Sequence, residues 1–257
     1  MPERLPLSVL LLTHNEAARV ASLLPALEFA AEVVVVDDHS TDGTAELAAR
    51  LGARVTVHAL SGFGPQRAFA LGLCTQPWVL WIDADERPDA VACAALVRTV
   101  AADPGALGAT RAFTWERRTW FLGERIRWCG WRGERVTRLF QRECARFDDA
   151  PVHERVIVSG AVGALPGVIE HHSYETWDDC RDKLVRYAHA GAEARHRAGR
   201  RASVLDVALR PLARFLRMYV LQLGVLDGGA GLAVCGLAAA NVFLREMELW
   251  AATRSGR

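Results

Sequence analysis

Two aspartates separated by one residue, Asp83 and Asp85, follow an apolar run that ends in Trp81 and Ile82. Carboxylates with this spacing in a turn after a strand can hold a hard divalent cation, because Mg²⁺ and Mn²⁺ prefer oxygen ligands. Such a cation commonly keeps open positions for the phosphate oxygens of a substrate. Helix-capping or turn carboxylates are the alternative interpretation of this pattern. Companion residues must decide between the two.

Polar residues also end two earlier predicted strands. Thr13, Asn15 and Glu16 follow the first strand, and Asp37 with Asp38 ends the second. Ligands in an open α/β sheet bind beyond the carboxyl ends of the strands, so all three groups should line one crevice. Carboxylates gathered there repel one another unless a cation or the hydrogen-bond donors of a ligand compensate them.

The elements that must position these residues alternate along the first hundred residues, as in βαβ units on a parallel sheet. Strands are predicted at Leu5 to Thr13, Glu32 to Asp38, Ala53 to Leu60 and Trp78 to Ile82, with helices at Asn15 to Ala30, Asp42 to Leu51, 63 to 74 and 89 to 102. Strand-like pieces follow at Gly108 to Thr114, Val136 to Gln141, Arg155 to Val158 and Val168 to His171, around a long irregular insertion. A helix from Trp177 to about Arg197 and two apolar helices beyond Arg201, broken near Asp227 to Gly231, complete the prediction.

Composition and turn chemistry narrow the class of protein. A chain of 257 residues with 51% hydrophobic and 24% charged residues is typical of a globular protein, not of a disordered or multi-span membrane protein. Its six cysteines form no CxxC pair, so reduced thiols in a cytoplasmic protein are expected. The turn THNEAARV from Thr13 has neither GxGxxG nor GxxxxGK[ST], which argues against a classical NAD domain and a P-loop ATPase.

Three motifs together resemble the family 2 inverting glycosyltransferases, which have the GT-A fold: T-x-N-E at Thr13 to Glu16, VVVDDHSTDGT at Val34 to Thr44 and WIDADE at Trp81 to Glu86. Later segments are similar to the lipopolysaccharide core β-1,4-glucosyltransferases of Gram-negative bacteria, which add glucose to an inner-core heptose. These segments are GWRGERVTRLF from Gly130, PVHE from Pro151, EHHSYETWDDCRDKLVRYA from Glu170 and GVLDGGAGL from Gly224.

The resemblance implies an α/β fold of GT-A type, a Rossmann-like and mostly parallel mixed sheet with a C-terminal helical appendage. Residues 1–200 would form the glycosyltransferase domain, with a nucleotide-sugar-binding half at 1–106 and an acceptor-side half at 107–175. Residues 201–257 would form a helical, membrane-associating region. The implied activity is inverting transfer of a hexose, with glucose from UDP-glucose expected, onto an inner-core sugar such as heptose.

Donor and metal roles carry over by position. The residues expected to bind the donor are Thr13, Asn15, Glu16, Asp37, Asp38, Arg67, Asp83 and Asp85. In this resemblance Asp83 touches ribose and Asp85 touches the Mn²⁺ or Mg²⁺ ion, and His171 fits the position of a further ligand. A surface helix residue remains the alternative for Arg67, and a structural histidine the alternative for His171.

An inverting transfer also needs a base that takes the proton from the acceptor hydroxyl. Glu154 in PVHE occupies the place where similar enzymes carry an acidic base motif and is predicted as the catalytic residue. Asp148 or Asp149 could serve instead, and a surface carboxylate paired with Arg155 is the non-catalytic alternative.

Four tryptophans between Trp115 and Trp131 are interleaved with arginines. Indole faces stack on sugar rings and guanidinium groups bind phosphate or carboxylate, so an anionic glycolipid acceptor is expected at Trp128, Trp131, Arg132 and Arg138. Packing of a connecting loop is the alternative. Nucleic acid is not expected, because residues 1–90 carry twelve acidic residues against six arginines.

The C-terminal region predicts a peripheral contact with the cytoplasmic face of the inner membrane. Arg210, Arg214 and Arg217 share one helix face. The apolar surface is assigned to Leu212, Phe215, Leu216, Tyr219 and Val220. The uncharged run Gly228 to Leu244 falls short of the roughly 20 apolar residues of a spanning helix. A helical pair packed on the domain or on a second subunit is the alternative.

Two other activities fit the same motifs. Transfer to a polyprenyl phosphate would use the same carboxylate pair without an activating base. A non-catalytic scaffold that binds a nucleotide sugar and a membrane is the rival from another class of protein.

Overall fold

The computed structural model describes residues 4–60, 62–148 and 155–254. The chain divides into two compact units, one formed by Met1–Arg117 and Arg135–His171 and the other by Arg118–Glu134 and His172–Arg257. These boundaries differ from the predicted division at residue 200. The functional roles assigned to residues 1–200 and 201–257 stay predictions.

The first unit is built on a mixed sheet. The strands of the chain are β1 (Leu5–Thr13), β2 (Ala30–Asp37), β3 (Arg54–Val57), β4 (Trp78–Trp81), β5 (Glu86–Pro88), β6 (Thr110–Phe121), β7 (Glu124–Ile126), β8 (Arg135–Gln141), β9 (Ala145–Phe147), β10 (Val156–Val158) and β11 (Ala161–Tyr174). The sheet order is β3-β2-β1-β4-β8-β6-β11-β5, in which β1 to β4 are parallel and β8 is antiparallel to both neighbours. This confirms the predicted α/β architecture.

The core lies on both faces of this sheet. Successive residues of β1 point to opposite faces, so Val9 and Leu11 pack in one cluster and Leu10 packs in the other. All three side chains are fully buried. Burying one such side chain stabilises the fold by about 1.5 to 3 kcal/mol, so a continuously apolar strand is favoured here.

The helices of the first unit are α1 (Ala17–Leu23), α2 (Thr44–Arg50), α3 (Phe63–Leu73) and α4 (Ala90–Val100), with 3-10 turns at Leu24–Leu27, Pro104–Leu107 and Arg142–Cys144. The predicted helix Asn15 to Ala30 is shorter at both ends. Asn15 has φ 56°, a left-handed conformation that no helix interior contains. Pro25 at the start of the 3-10 turn removes a backbone donor and ends the α-helical pattern.

The predicted irregular insertion is wrong for its first part, because β6 continues to Phe121 and pairs with β7. Trp115 is 1% exposed and donates from Nε1 to the carbonyl oxygen of Pro166 at 3.1 Å. This indole belongs to the core of the first unit, so its large size serves packing.

The described residues of the second unit form three helices, α5 (Trp177–Arg197), α6 (Val204–Leu216) and α7 (Gly228–Arg254), with a π-helical turn at Arg217–Leu221 and a 3-10 turn at Gly224–Asp227. Capping boxes start α5 at Thr176 and α6 at Ser203. Helix α5 belongs to this unit because it packs along α7.

The segment Gly224–Arg254 is long and apolar enough, by length and composition, to cross a membrane. Its most apolar 18-residue window has a mean hydropathy of 1.5 and is 28% buried. Its carboxyl-terminal part carries Glu246, which is fully buried and lies within salt-bridge distance of Arg195, Arg210 and Arg245.

Candidate active site

Asp83 lies in the turn that follows β4 and is held by two guanidinium groups. Its Oδ1 accepts a hydrogen bond from Nη2 of Arg67 at 3.2 Å, and its Oδ2 accepts one from Nη2 of Arg138 at 2.9 Å. The same nitrogen of Arg138 donates to Oε1 of Glu86 at 2.6 Å. The protein's own cations therefore compensate two of the clustered carboxylates, a contribution that sequence reasoning did not identify.

Trp81, the last residue of β4, contacts both arginines through its ring. The guanidinium carbon of Arg67 is 4.2 Å from the indole centroid, and that of Arg138 is 4.1 Å away. An indole face attracts cations, so Trp81 stabilises two like charges at one place. The antiparallel register of β8 on β4 pairs Leu139 with Leu80 and so brings Arg138 beside Trp81.

The charges around Asp83 set its protonation. Burial by itself would raise the pKa of Asp83, but Arg138 and Arg67 outweigh burial and hold that pKa below its ordinary value. Burial would lower the pKa of Arg138, and the carboxylates of Glu86 and Asp83 raise it instead. Asp83 is therefore an ionised acceptor at neutral pH, and its side chain remains 30% exposed.

Asp85 and His171 form the pair that can hold a cation. Nε2 of His171 is 3.6 Å from Oδ2 of Asp85, and the side chains are 15% and 14% exposed. The antiparallel pairing of β11 with β5 places His171 opposite Glu86, one residue from Asp85. Among the described residues, no group of three His, Cys, Asp or Glu side chains is arranged to hold a metal. Two protein ligands fit Mg²⁺ or Mn²⁺, which take their remaining ligands from water and substrate phosphates.

Gly167 fixes the position of β11 against α4. Its φ is 91°, and a Cβ at this residue would lie 2.2 Å from the backbone nitrogen of Ala92. Oδ1 of Asp89 accepts from the backbone nitrogens of Ala92, at 2.7 Å, and Val168, at 3.2 Å. The strand that carries His171 is therefore seated directly on the start of a helix.

The ends of β1 and β2 lie side by side. Oγ1 of Thr13 donates to Oδ1 of Asp37 at 2.8 Å, since the parallel register pairs these two residues. Asp37 is 1% exposed and also accepts from Oγ and the backbone nitrogen of Ser40. Its carboxylate thus shapes the loop, whereas Asp38 has a side chain that is 27% exposed and accepts from the backbone nitrogen of Leu60 at 2.9 Å.

The loop after β2 contributes polar residues that the sequence motif contained but that were given no role. The backbone nitrogen of Thr41 donates to Oδ1 of Asn15 at 2.8 Å, and Oγ1 of Thr44 accepts from the backbone nitrogen of Glu16 at 2.9 Å. The T-x-N-E and DDHSTDGT motifs therefore form one hydrogen-bonded structure. The spacing of 28 residues between Glu16 and Thr44 is the sequence feature that could have predicted this contact.

The predicted acceptor residues fall into different surroundings. Trp128 and Trp131 are half-buried in the second unit, and the exposed Arg132 lies over the Trp128 ring, its guanidinium carbon 4.5 Å from the centroid. Arg138 belongs to the first unit and is 4% exposed beneath the carboxylates. Such burial favours a role in holding Asp83 over direct contact with an acceptor.

The predicted base, Glu154, and its alternative Asp149 lie outside the described residues. The other alternative, Asp148, is described: its Oδ1 accepts from the backbone nitrogen of Arg155 at 3.1 Å, and its own nitrogen donates to the Arg155 carbonyl at 3.1 Å. Asp148 thereby closes the hairpin of β9 and β10. This hydrogen bonding gives the Asp148 carboxylate a structural task.

Comparisons with known proteins show the family of the chain. The profile of the family described as "Glycosyl transferase family 2" matches residues 8–157. The lipopolysaccharide core biosynthesis glycosyltransferase LpsC of Rhizobium meliloti (strain 1021) is 31% identical over 260 residues, covering 96% of this chain and 95% of that protein. An uncharacterized glycosyltransferase of Rickettsia prowazekii (strain Madrid E) is 26% identical, covering 95% of this chain and 86% of the relative.

Among solved structures, mannosyl-3-phosphoglycerate synthase from Rubrobacter xylanophilus is similar with a TM-score of 0.42 and 18% identity, covering 78% of this chain and 77% of that one. Glucosyl-3-phosphoglycerate synthase from Mycobacterium tuberculosis, crystallised with Mn²⁺, UDP and glucosyl-3-phosphoglycerate, has a TM-score of 0.37 and 22% identity over 54% of this chain and 57% of that one. The profile match spans more than half of the chain, and the likeness to LpsC spans nearly all of it. The chain belongs to glycosyl transferase family 2.

Proposed function

We propose that this glycosyltransferase transfers a hexose, glucose from UDP-glucose, with inversion onto a sugar of the lipopolysaccharide inner core such as heptose. The observation that carries the proposal is the turn after β4, where Asp85 lies 3.6 Å from His171 and Asp83 is anchored by Arg67 and Arg138. Similarity to LpsC along both chains supports a place in lipopolysaccharide core biosynthesis.

On the donor side, Asp83 accepts a hydrogen bond from a ribose hydroxyl. Its ion pairs with Arg67 and Arg138 keep it ionised. Asp38, which is more exposed than Asp37, forms hydrogen bonds with the uracil or ribose. Asp37 accepts a hydrogen bond from Thr13 and so stabilises the loop. Asn15 and Glu16 complete the nucleotide pocket, and Arg67 adds positive charge near the diphosphate. Asp85 and His171 would hold Mn²⁺ or Mg²⁺, which supplies charge neutralisation to the departing diphosphate.

On the acceptor side, Glu154 takes the proton from the attacking hydroxyl as that oxygen bonds to the anomeric carbon from the face opposite the nucleotide. Trp128 and Trp131 stack on sugar rings, and Arg132 pairs with acidic groups of the glycan. The enzyme acts on the cytoplasmic face of the inner membrane as a peripheral protein, where the glycolipid acceptor is anchored.

The test is release of UDP from a panel of UDP-hexoses with a purified inner-core acceptor, with and without Mn²⁺. We expect turnover with UDP-glucose that requires the metal, and a β-linked product by NMR. Turnover with polyprenyl phosphate in place of the core acceptor would identify the rival activity. Absence of release with every donor and acceptor would support the non-catalytic scaffold and refute the proposal.

A further inference from the structure

The segment between α6 and α7 has two faces. Four of its residues point to solvent with 42% to 78% of their surface exposed: Leu221, Leu223, Val225 and Leu226. The other face of the segment contacts the rest of the second unit through Gln222, Gly224 and Asp227. Leu223 has φ 58°, a conformation that a leucine adopts at a cost. The chain therefore keeps apolar side chains on the outside of this turn at the expense of backbone strain.

The inner face holds the segment 127–132, here called the acceptor segment, which contains Trp128, Trp131 and Arg132. Oδ1 of Asp227 accepts from the backbone nitrogen of Arg127 at 3.0 Å, and Oδ2 accepts from that of Trp128 at 2.8 Å. A carboxylate that accepts two backbone N–H groups fixes the chain more firmly than a single neutral hydrogen bond does.

Two close approaches seat the next residues of the acceptor segment on the same turn. A Cβ at Gly224 would lie 2.9 Å from Sγ of Cys129, and a Cβ at Gly130 would lie 2.4 Å from Oε1 of Gln222. A Cβ at Gly224 would also lie 2.9 Å from the backbone oxygen of Met218, and Gly130 has a φ of 86°, so glycine is favoured at both positions. The acceptor segment and the turn form one packed structure.

The outer face continues along α6. Leu205, Leu209, Leu212, Leu216 and Val220 recur at intervals of three and four residues and are 47% to 68% exposed. With the four exposed residues of the turn they form a surface that we call the leucine face. Phe215 and Tyr219, predicted from sequence to belong to this surface, instead pack against the core of the second unit. A run of nine exposed apolar side chains along α6 and the turns that follow it marks an interaction site.

Charge beside the leucine face indicates the partner. Arg214 is exposed on α6 and Arg217 is exposed directly after it, whereas Arg210 pairs with Asp206 and Glu246. Apolar side chains flanked by arginines are the pattern of a helix that lies in the interface of an anionic bilayer, where the basic residues attract the lipid headgroups. A protein partner would need an acidic rim to match the same arginines.

We propose that the leucine face docks on an anionic lipid bilayer and that Asp227 is a positioning residue, which holds the acceptor segment at that docking surface. A glycan anchored in lipid would then meet the acceptor segment where its first sugars leave the bilayer. The second half of this inference rests on the proposed glycolipid acceptor, whereas the docking surface stands without it.

The docking surface is tested by flotation with phosphatidylcholine vesicles that contain or lack phosphatidylglycerol. We expect the wild-type protein to float with the anionic vesicles and Leu212→Ser/Leu216→Ser to bind them at least about tenfold more weakly. The matched control is Val91→Ser/Val97→Ser, a pair of exposed apolar residues on α4. Equal binding of wild type and variant, an equal loss in the control, or a wild-type dimer that the leucine variant abolishes would each overturn the docking surface.

The role of Asp227 is tested by Asp227→Asn with two acceptors, the vesicle-embedded glycolipid and its delipidated oligosaccharide. We expect the acceptor KM to rise about tenfold with both, the donor KM to stay unchanged, and flotation to persist. The leucine variant should instead lose activity on the embedded acceptor alone. An equal rise in donor KM or loss of flotation in Asp227→Asn refutes positioning. If wild type turns over neither acceptor, the proposed function fails, and flotation still judges the docking surface.

Discussion

Arg138 donates from Nη2 to Oε1 of Glu86 across 2.6 Å, and neither side chain has more than 4% of its surface exposed. Two charges withdrawn from water in this way depend on each other, because loss of one leaves the other buried and uncompensated. The same guanidinium holds Asp83 at 2.9 Å. Stability and the proposed donor binding by Asp83 are therefore linked through one arginine.

Glu86→Gln should lower the free energy of unfolding by about 1 to 3 kcal/mol, since Arg138 loses its shortest charged partner but keeps its hydrogen bond to Asp83. Urea denaturation followed by circular dichroism measures the change. Arg181→Gln is the matched control, because it removes the ion pair of Arg181 and Asp178, which are 60% and 75% exposed. That change should cost under about 1 kcal/mol. Equal effects of the two substitutions would contradict the importance of burial.

If Asp85 and His171 share the cation, His171→Ala should weaken the binding of Mn²⁺ about 10- to 100-fold. The kcat should be restored at high Mn²⁺ concentration. Asp85→Asn should have a larger effect. Half-saturating Mn²⁺ for UDP release is the measurement. His172→Ala is the control, because the neighbouring ring stacks on Trp120 at 5.8 Å. An unchanged Mn²⁺ requirement in His171→Ala would remove this histidine from the metal site.

Glu154→Gln should lower kcat by about 10² to 10⁴ without changing the donor KM, as expected for loss of a general base. Steady-state kinetics with saturating UDP-glucose measure this. Asp148→Asn should retain kcat and lose only the stability that comes from closing the hairpin of β9 and β10. Loss of kcat in Asp148→Asn, with kcat retained in Glu154→Gln, would identify Asp148 as the base.

Glu32 predicts a pH dependence of stability. Burial alone would raise its pKa, but hydrogen bonds from Ser8, Thr75 and Arg54 lower the pKa to about 2 from the ordinary 4.5. Because the folded-state pKa is depressed, the stabilisation is complete above about pH 4.5 and is lost as the pH falls toward 2.

Glu32→Gln should therefore cost about 1 to 2 kcal/mol at pH 7, because solvent screens part of the interaction, and the difference from wild type should shrink below pH 4.5. Urea unfolding at a series of pH values provides the comparison. Glu28→Gln, at an exposed position, should stay within about 0.5 kcal/mol of wild type. A pH-independent difference for Glu32→Gln would show that the hydrogen bonds do not act through ionisation.

Sequence alone located the elements that have one dominant signal. The apolar run of β1 ends where THNE begins, and the helix Trp177–Arg197 begins after the capping residue Thr176, so their bounds were predicted correctly. The α/β fold was predicted from the alternation of strands and helices, and the family from a resemblance that three motifs carry. These signals are local and do not depend on which strands become neighbours.

What sequence could not supply depends on pairing between distant strands. Arg138 contacts Asp83 because β8 pairs with β4, and no local pattern distinguishes this arginine from Arg132 or Arg135. The short strand β5 is defined only by its partner β11. Trp115 looked like a loop aromatic because charged residues follow it along β6, although β-strand alternation directs the indole inward.

The contact between Gly167 and Ala92 has a consequence for mutational tolerance. Position 167 lies four residues from His171 on the same strand, and any side chain there would collide with the backbone of α4. A substitution at this glycine would displace a strand and not merely fill a space. Variation at this glycine would thus disturb the proposed metal site through His171, and an engineer who wishes to retune this enzyme should leave that glycine in place.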